Sequence, residues 1–180
     1  MIPPEAQQYE DLFSGFQKAK VKAPIVRQAF ERLKKDYDQQ LAALIGDERD
    51  FVANMANMAA LLFHQLPDLN CAGFYLMREG ELVLGPFQGK AACIRIPIGK
   101  GVCGAAAESK TTQLVRDVHA FPGHIACDAA SQSELVVPIL FQGRLIAVLD
   151  LDSPRPARFD EEDQRGFEAI CALIAPRLSA

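Results

Sequence analysis

The chain lacks several features that would place it quickly. No run reaches the roughly 18 apolar residues that a bilayer-spanning helix requires. The start, MIPPEAQQYEDLF, has no basic segment leading into an apolar one, so no secretion leader is read there, and a cytoplasmic, reducing setting is expected. Positive charge is in deficit, with 19 Lys and Arg against 23 Asp and Glu, which argues against non-specific binding to phosphate backbones. Histidine occurs three times, which leaves little for a histidine-rich metal centre. No C-x-x-C pair is present, which argues against zinc ribbons and thioredoxin-type redox motifs. The five cysteines, Cys71, Cys93, Cys103, Cys127 and Cys171, are an odd number without a leader, so a structural disulfide framework is not expected.

What is present suits one folded domain with an extra element. About half of the 180 residues are apolar, enough for a sizeable core. Residues 1–46 read as helical: Val26, Phe30, Leu33, Tyr37, Leu41 and Leu44 recur at steps of three and four, between Pro24 and Gly46. Tyr9, Leu12, Phe13 and Phe16 suggest a shorter helix before it. Residues 1–36 are thus expected to form a helical extension packed on the domain or on a second subunit, as in a homodimer. Asp47 is the expected cap of the next helix, whose stripe is Phe51, Met55, Met58, Leu62 and Leu66, stopped by Pro67. From Cys71 the period changes to strands. AGFYLM and ELVLGPF flank the Arg78-Glu79-Gly80 turn. A third extended stretch follows over 92–98, and GKGVCGAAAESK enters a small-residue helix. TTQLVRDV is a fourth strand candidate. SELVVPIL and RLIAVLDLDS then flank Gln142-Gly143, and Asp160 caps a last helix. The tight turns require antiparallel neighbours, giving an α+β fold with a central, mainly antiparallel sheet flanked by helices.

Two signals carry chemistry. Asp150 and Asp152 are two apart on an apolar strand and share a face. Carried from the Gln142-Gly143 turn, the register puts Glu134 near Leu151, diagonal to both. Three acids at the end of a buried strand pair need a cation or shared protons; the competing reading is that the strand has reached solvent there. A metal is disfavoured, since the acids have no obvious His partner, His119 and His124 being mobile loop candidates. The second signal is Cys127, in the long polar loop HAFPGHIACDAASQ. A loop thiol beside Gly, His and Asp is a better reactive candidate than one in a strand. Cys103 lies in a first helical turn, where the dipole would favour the thiolate. Cys71 and Cys171 read as structural. A Cys–His hydrolase pairing Cys127 with His124 or His119 is a weaker alternative.

Several segments together make a specific match. NCAGFYL, GPFQGKAACIRIPIGKGVCGAAA, DVHAFPGHIACDAASQSELVVPI and GRLIAVLDLDSP resemble the free methionine-R-sulfoxide reductases, a branch of the GAF-domain superfamily, over about residues 37–175. The resemblance implies a GAF-like catalytic domain over 37–180. It makes Cys127 the catalytic cysteine, Cys93 the resolving one and Cys103 a third that joins disulfide exchange. Glu134, Asp150, Asp152 and Tyr75 would line the substrate pocket. The family usually has Trp where this chain has Cys71, and the chain has no Trp at all. A thiol there would make the pocket wider and less apolar.

The expected reaction starts with attack of the Cys127 thiolate on the sulfoxide sulfur while Glu134 or Asp152 protonates the oxygen. The other acids would hold the free α-ammonium. Methionine leaves, Cys127 becomes a sulfenic acid, and Cys93 condenses with it to a disulfide that thioredoxin or a similar dithiol reduces. No bound cofactor or metal is implied. The rival readings are a non-catalytic GAF domain sensing a small ligand and a dimerisation module built on the N-terminal helices.

Overall fold

The computed structural model describes residues 48–178. The expected extension over 1–36, the helix through Val26 and Leu44, and Asp47 lie outside them. The first described helix, α1 (Phe51–Gln65), is capped by Asp50, whose side chain accepts a hydrogen bond from the Ala53 backbone N–H at 2.9 Å. The predicted stripe holds: Met55, Leu62 and Leu66 are buried.

Six strands follow, interrupted by one helix. They are β1 (Cys71–Arg78), β2 (Glu81–Gly89), β3 (Arg95–Pro97), β4 (Gln113–Val115), β5 (Ser133–Phe141) and β6 (Arg144–Ser153). Helix α2 (Gly101–Ser109) lies between β3 and β4, and α3 (Glu161–Leu178) closes the chain. The sheet order is β3-β2-β1-β6-β5-β4, with every neighbouring pair antiparallel. The two expected hairpins have two-residue turns. Glu79 and Gly80 adopt φ of 52° and 87°, and Gln142 and Gly143 adopt 49° and 76°. Positive φ at both central residues matches the twist of the flanking strands, and glycine takes it without steric penalty.

One detail of the β5–β6 ladder decides where the site forms. Phe141 faces Arg144 and Leu140 faces Leu145, as the tight turn dictates. Between Ile139 and Leu140 the register shifts by one residue, and Ile139 then faces Ala147. Ile146 is the residue taken up by this bulge. The shift brings Glu134 opposite Asp152, not Leu151, and Val136 opposite Asp150. Residues directly opposite share a face, and a slip of one residue would exchange the faces. The bulge therefore sets all three acids on one face, where an unbroken register would have turned Glu134 to the other.

The two faces have separate cores. On one, α1 and α3 cover Phe74, Leu135, Val137, Leu149 and Leu151. On the other, α2 covers Tyr75, Val136 and Val148. Helix α2 can lie close because its residues are small. A Cβ added at Gly104 would stand 2.5 Å from the Pro97 carbonyl oxygen, so only glycine fits there. The third and fourth strands are shorter than expected. Cys93 leaves the β3 ladder to meet the loop after β4, which runs without helix or strand over 121–132.

Candidate active site

The site is built on the α2 face at the ends of β5 and β6. Glu134, Asp150 and Asp152 are 6%, 7% and 9% exposed, so the strand has not emerged into solvent. Burial pushes the carboxyls of Glu134 and Asp152 well above the ordinary range, and the Asp150 charge pushes them further. Burial raises Asp150 to about 6. Three acids desolvated together cannot all ionise cheaply, so they keep protons to a higher pH than solvated ones.

Above this floor lies the long loop. Cys127 is disulfide-bonded to Cys93, with their Cα atoms 5.5 Å apart and the two residues 34 positions apart in sequence. The bond joins the β2–β3 connection to the loop that roofs the acids. Tyr75, buried on the same face, donates its hydroxyl to the Cys93 carbonyl at 3.0 Å. It supports the cysteine from below and does not line the small cavity over the acids. Cys103, fully buried in α2, points its sulfur at Glu134 Oε1, 3.9 Å away. Its first-turn position suggested a favoured thiolate. The environment acts the other way: burial and the charges of Asp150, Glu134 and Asp152 push the thiol up. Desolvation and acid repulsion outweigh half a unit of helix charge.

His124 brings Nε2 to 4.0 Å from Glu134 Oε2. Burial and His119 lower its pKa, which favours the neutral ring, so this contact is polar without being an ion pair. The loop is fastened from outside by Asp128, next to Cys127. Asp128 accepts from the Asn70 side-chain amide at 3.0 Å, from Lys90 Nζ at 3.3 Å and from the Ala130 backbone N–H at 3.0 Å. The Asn70 amide also donates to Ser131 Oγ at 3.0 Å. These contacts hold the Asp128 carboxyl below the usual range, the Ala130 bond first.

The structure thus gathers Cys127, Cys93, Cys103, Glu134, Asp150 and Asp152 in one place, with Tyr75 beneath. It adds one group the sequence did not single out, Asn70, and places Cys71, which the resemblance had set at the pocket. Asn70 gave no local signal, because its partner Asp128 is 58 positions away. Cys71 read as structural, yet it faces Asp152 across the β1–β6 ladder. The signal was parity: Cys71 and Tyr75 are four apart on one strand and share a face. The remaining free thiol, Cys171, lies in the opposite core.

A curled antiparallel sheet with a thiol loop over one end defines the class of the molecule. The GAF domain family matches residues 52–179. The free methionine-R-sulfoxide reductase of Escherichia coli (strain K12) is 50% identical over 139 residues, covering 77% of this chain and 84% of that protein. The reduced form of the Staphylococcus aureus fRMsr superposes with a TM-score of 0.74 at 52% identity, over 78% of this chain and 92% of that one. The Neisseria meningitidis free methionine-R-sulfoxide reductase, solved in complex with its substrate, superposes with a TM-score of 0.74 at 46% identity, over 77% and 84%. The chain belongs to the free methionine-R-sulfoxide reductases of the GAF-domain family. Among the described residues no helix is long and apolar enough to cross a membrane.

Proposed function

We propose that this chain reduces free L-methionine-(R)-sulfoxide to methionine, with Cys127 as nucleophile and Cys93 as resolving thiol. The observation that carries the reading is the Cys93–Cys127 disulfide lying over three buried carboxylates. In the reduced enzyme Cys127 attacks the sulfoxide sulfur. The oxygen leaves that sulfur only with a proton, and Glu134, whose burial and acid neighbours favour its protonated form, donates it. Asp150, the acid with the least raised pKa near neutrality, takes the charged role and holds the α-ammonium together with Asp152. A peptide-bound residue has no such ammonium, which accounts for selection of the free amino acid. Methionine departs, Cys127 holds the oxygen as a sulfenic acid, and Cys93 displaces it as water to form the disulfide. A thioredoxin-like dithiol then supplies two electrons and two protons to restore both thiols. This scheme uses no bound cofactor and suits a reducing cytoplasm, in keeping with the three free thiols Cys71, Cys103 and Cys171.

Thiol counting with separate R and S isomers tests the assignment. The reduced wild type should lose two thiols per chain on meeting the free R isomer and none with the S isomer. Cys127→Ser should lose none and turn over nothing; retained turnover would remove Cys127 from its role. Cys93→Ser should release one methionine per chain and then stop, with a sulfenic acid that dimedone traps.

A further inference from the structure

The acid floor has a second chemical property that sulfoxide reduction does not use. Cys103, Glu134 and Asp150 each offer a ligand atom, all within 4.8 Å of one another, and all three are buried. Cys71, Asp150 and Asp152 form a second group of the same kind, sharing Asp150. Sulfur and carboxylate ligands drawn that close are what a borderline-soft divalent cation selects. The independent sign of a missing ligand is Asp150 itself. It is 7% exposed, its carboxyl interacts with Cys103 and Glu134 of the same group, and its buried Oδ1 makes no well-formed hydrogen bond to any described residue. Buried oxygens are almost always satisfied, so such an atom calls for an explanation.

The space beside it sets the size of the occupant. Cys103, Glu134, Asp150 and Asp152 line a cavity of about 20 Å³ under the closed loop. That volume holds one water or one ion, since a single water needs roughly 10–15 Å³ on the same measure. It is too small for an amino acid in this disulfide form. Neither disulfide sulfur belongs to either ligand group.

We propose that this pocket binds a zinc-class divalent cation through Cys103, Glu134 and Asp150, and that it does so in the disulfide form as well as the reduced one. The cation replaces the shared protons as the compensating charge of the acid floor. Binding deprotonates the Cys103 thiol and releases its proton to solvent. Cysteine and carboxylates leave one tetrahedral position for water from the cavity. The ion is a competitor and not a cofactor, because it occupies the carboxylates that the substrate ammonium needs. That consequence rests on the reductase reading, whereas binding of the ion does not.

The test titrates cadmium, a zinc stand-in with a visible thiolate charge-transfer band, into the disulfide form of the full chain. One band per chain is expected to saturate at one equivalent. It should persist in Cys71→Ser and vanish in Cys103→Ala, a change that suits the small-residue helix. Glu134→Gln should keep the band and weaken binding by at least roughly a hundredfold, since losing even an outer-shell partner costs about 10–100-fold. A silent disulfide form, a band that survives Cys103→Ala, or one lost in Cys71→Ser overturns the assignment. If a variant fails to give the wild-type circular dichroism spectrum, the Glu134→Gln titration decides. In the reduced enzyme, zinc should raise the apparent KM for free methionine-R-sulfoxide, and a chelator should restore it. Cadmium binding without any turnover would sink the reductase reading alone, and turnover without cadmium binding would sink the metal site alone.

Discussion

The two faces of one sheet differ in what their alternate residues do. Along β6, Ala147, Leu149 and Leu151 point to α1 and α3, and Val148, Asp150 and Asp152 point to α2. The first set is packed into an apolar layer with Phe74 and Leu135, none of them measurably exposed. The second set puts two carboxyls where solvent cannot neutralise them, beneath the buried Cys103 thiol of α2. Stability and chemistry are thus separated by a spacing of one residue, and each side tolerates what the other cannot. The helix face supplies hydrophobic free energy, and the acid face draws on it to keep desolvated acids close together.

Paired substitutions across the sheet give the largest effects and should cross over. Glu134→Gln should cut turnover by roughly 10²–10⁴-fold, the range for loss of a positioned proton donor. Its stability should change by no more than about 1 kcal/mol, since a buried acid becomes a neutral amide of the same shape. Phe74→Ala should do the reverse in kind, costing about 3–5 kcal/mol by urea unfolding through the cavity it leaves. The protein that remains folded should keep turning over. A Phe74→Ala enzyme that is folded but inactive would show the two faces to be coupled.

Acidity sharpens the contrast by a smaller amount. Glu134, Asp150 and Asp152 have folded pKa values above their unfolded ones. The folded chain therefore holds more protons across that interval, and stability falls as pH rises through it. The contribution is whole below about pH 4, the unfolded range, and for Asp150 it is gone above its folded value. That value is about 6. Asp163, raised by burial against the pull of Arg158, adds to the trend, and Asp128 and Glu161, both held low, oppose it. The wild type should be more stable near pH 5 than near pH 7.5 by an amount of order 1–3 kcal/mol. Equilibrium unfolding at the two pH values measures it. In a Glu134→Gln, Asp150→Asn, Asp152→Asn triple variant most of that slope should disappear; an unchanged slope would place its origin elsewhere.

How far these features could be read in the sequence follows from their range. The helix face was legible because it is periodic: Met55, Leu62 and Leu66 on α1, and Phe167, Ile170 and Ile174 on α3, are buried as the spacing requires. The two hairpins were legible from Glu79-Gly80 and Gln142-Gly143, because turn chemistry is local. The pairing of Asp150 with Asp152 was legible from strand parity. Glu134 was placed near them but opposite the wrong residue, because a bulge at Ile146 leaves no composition signature and shifts the ladder by one. The cap of α1 is Asp50, three residues beyond the expected Asp47, since several acids there offer equivalent oxygens. The resemblance led to Cys93 and Cys127 as partners, and the fold brings them within bonding distance. What sequence could not supply was the environment. Cys103 looked activated by its helix, and only the burial of its neighbours reverses that sign.

The smallest effects test how the loop over the acid face is fastened, and Asp128 allows a direct comparison. Lys90 reaches it from solvent, its side chain 72% exposed. Such a pair contributes about 0–1 kcal/mol, so Lys90→Ala should lower stability by less than about 0.5 kcal/mol and fade further in salt. Asn70 reaches the same carboxylate from the half-buried side and ties it to Ser131. Removing that amide leaves two acceptors short of a donor, which should cost about 1–2 kcal/mol. The more telling readout is kinetic. In stopped-flow thiol loss after mixing with free methionine-R-sulfoxide, Asn70→Ala should slow closure of the Cys93–Cys127 bond several-fold, because the roof that presents Cys127 is no longer pinned to the start of β1. Lys90→Ala should close at the wild-type rate. Equal slowing in both would mean that charge at Asp128, and not the buried amide, holds the loop over the acids.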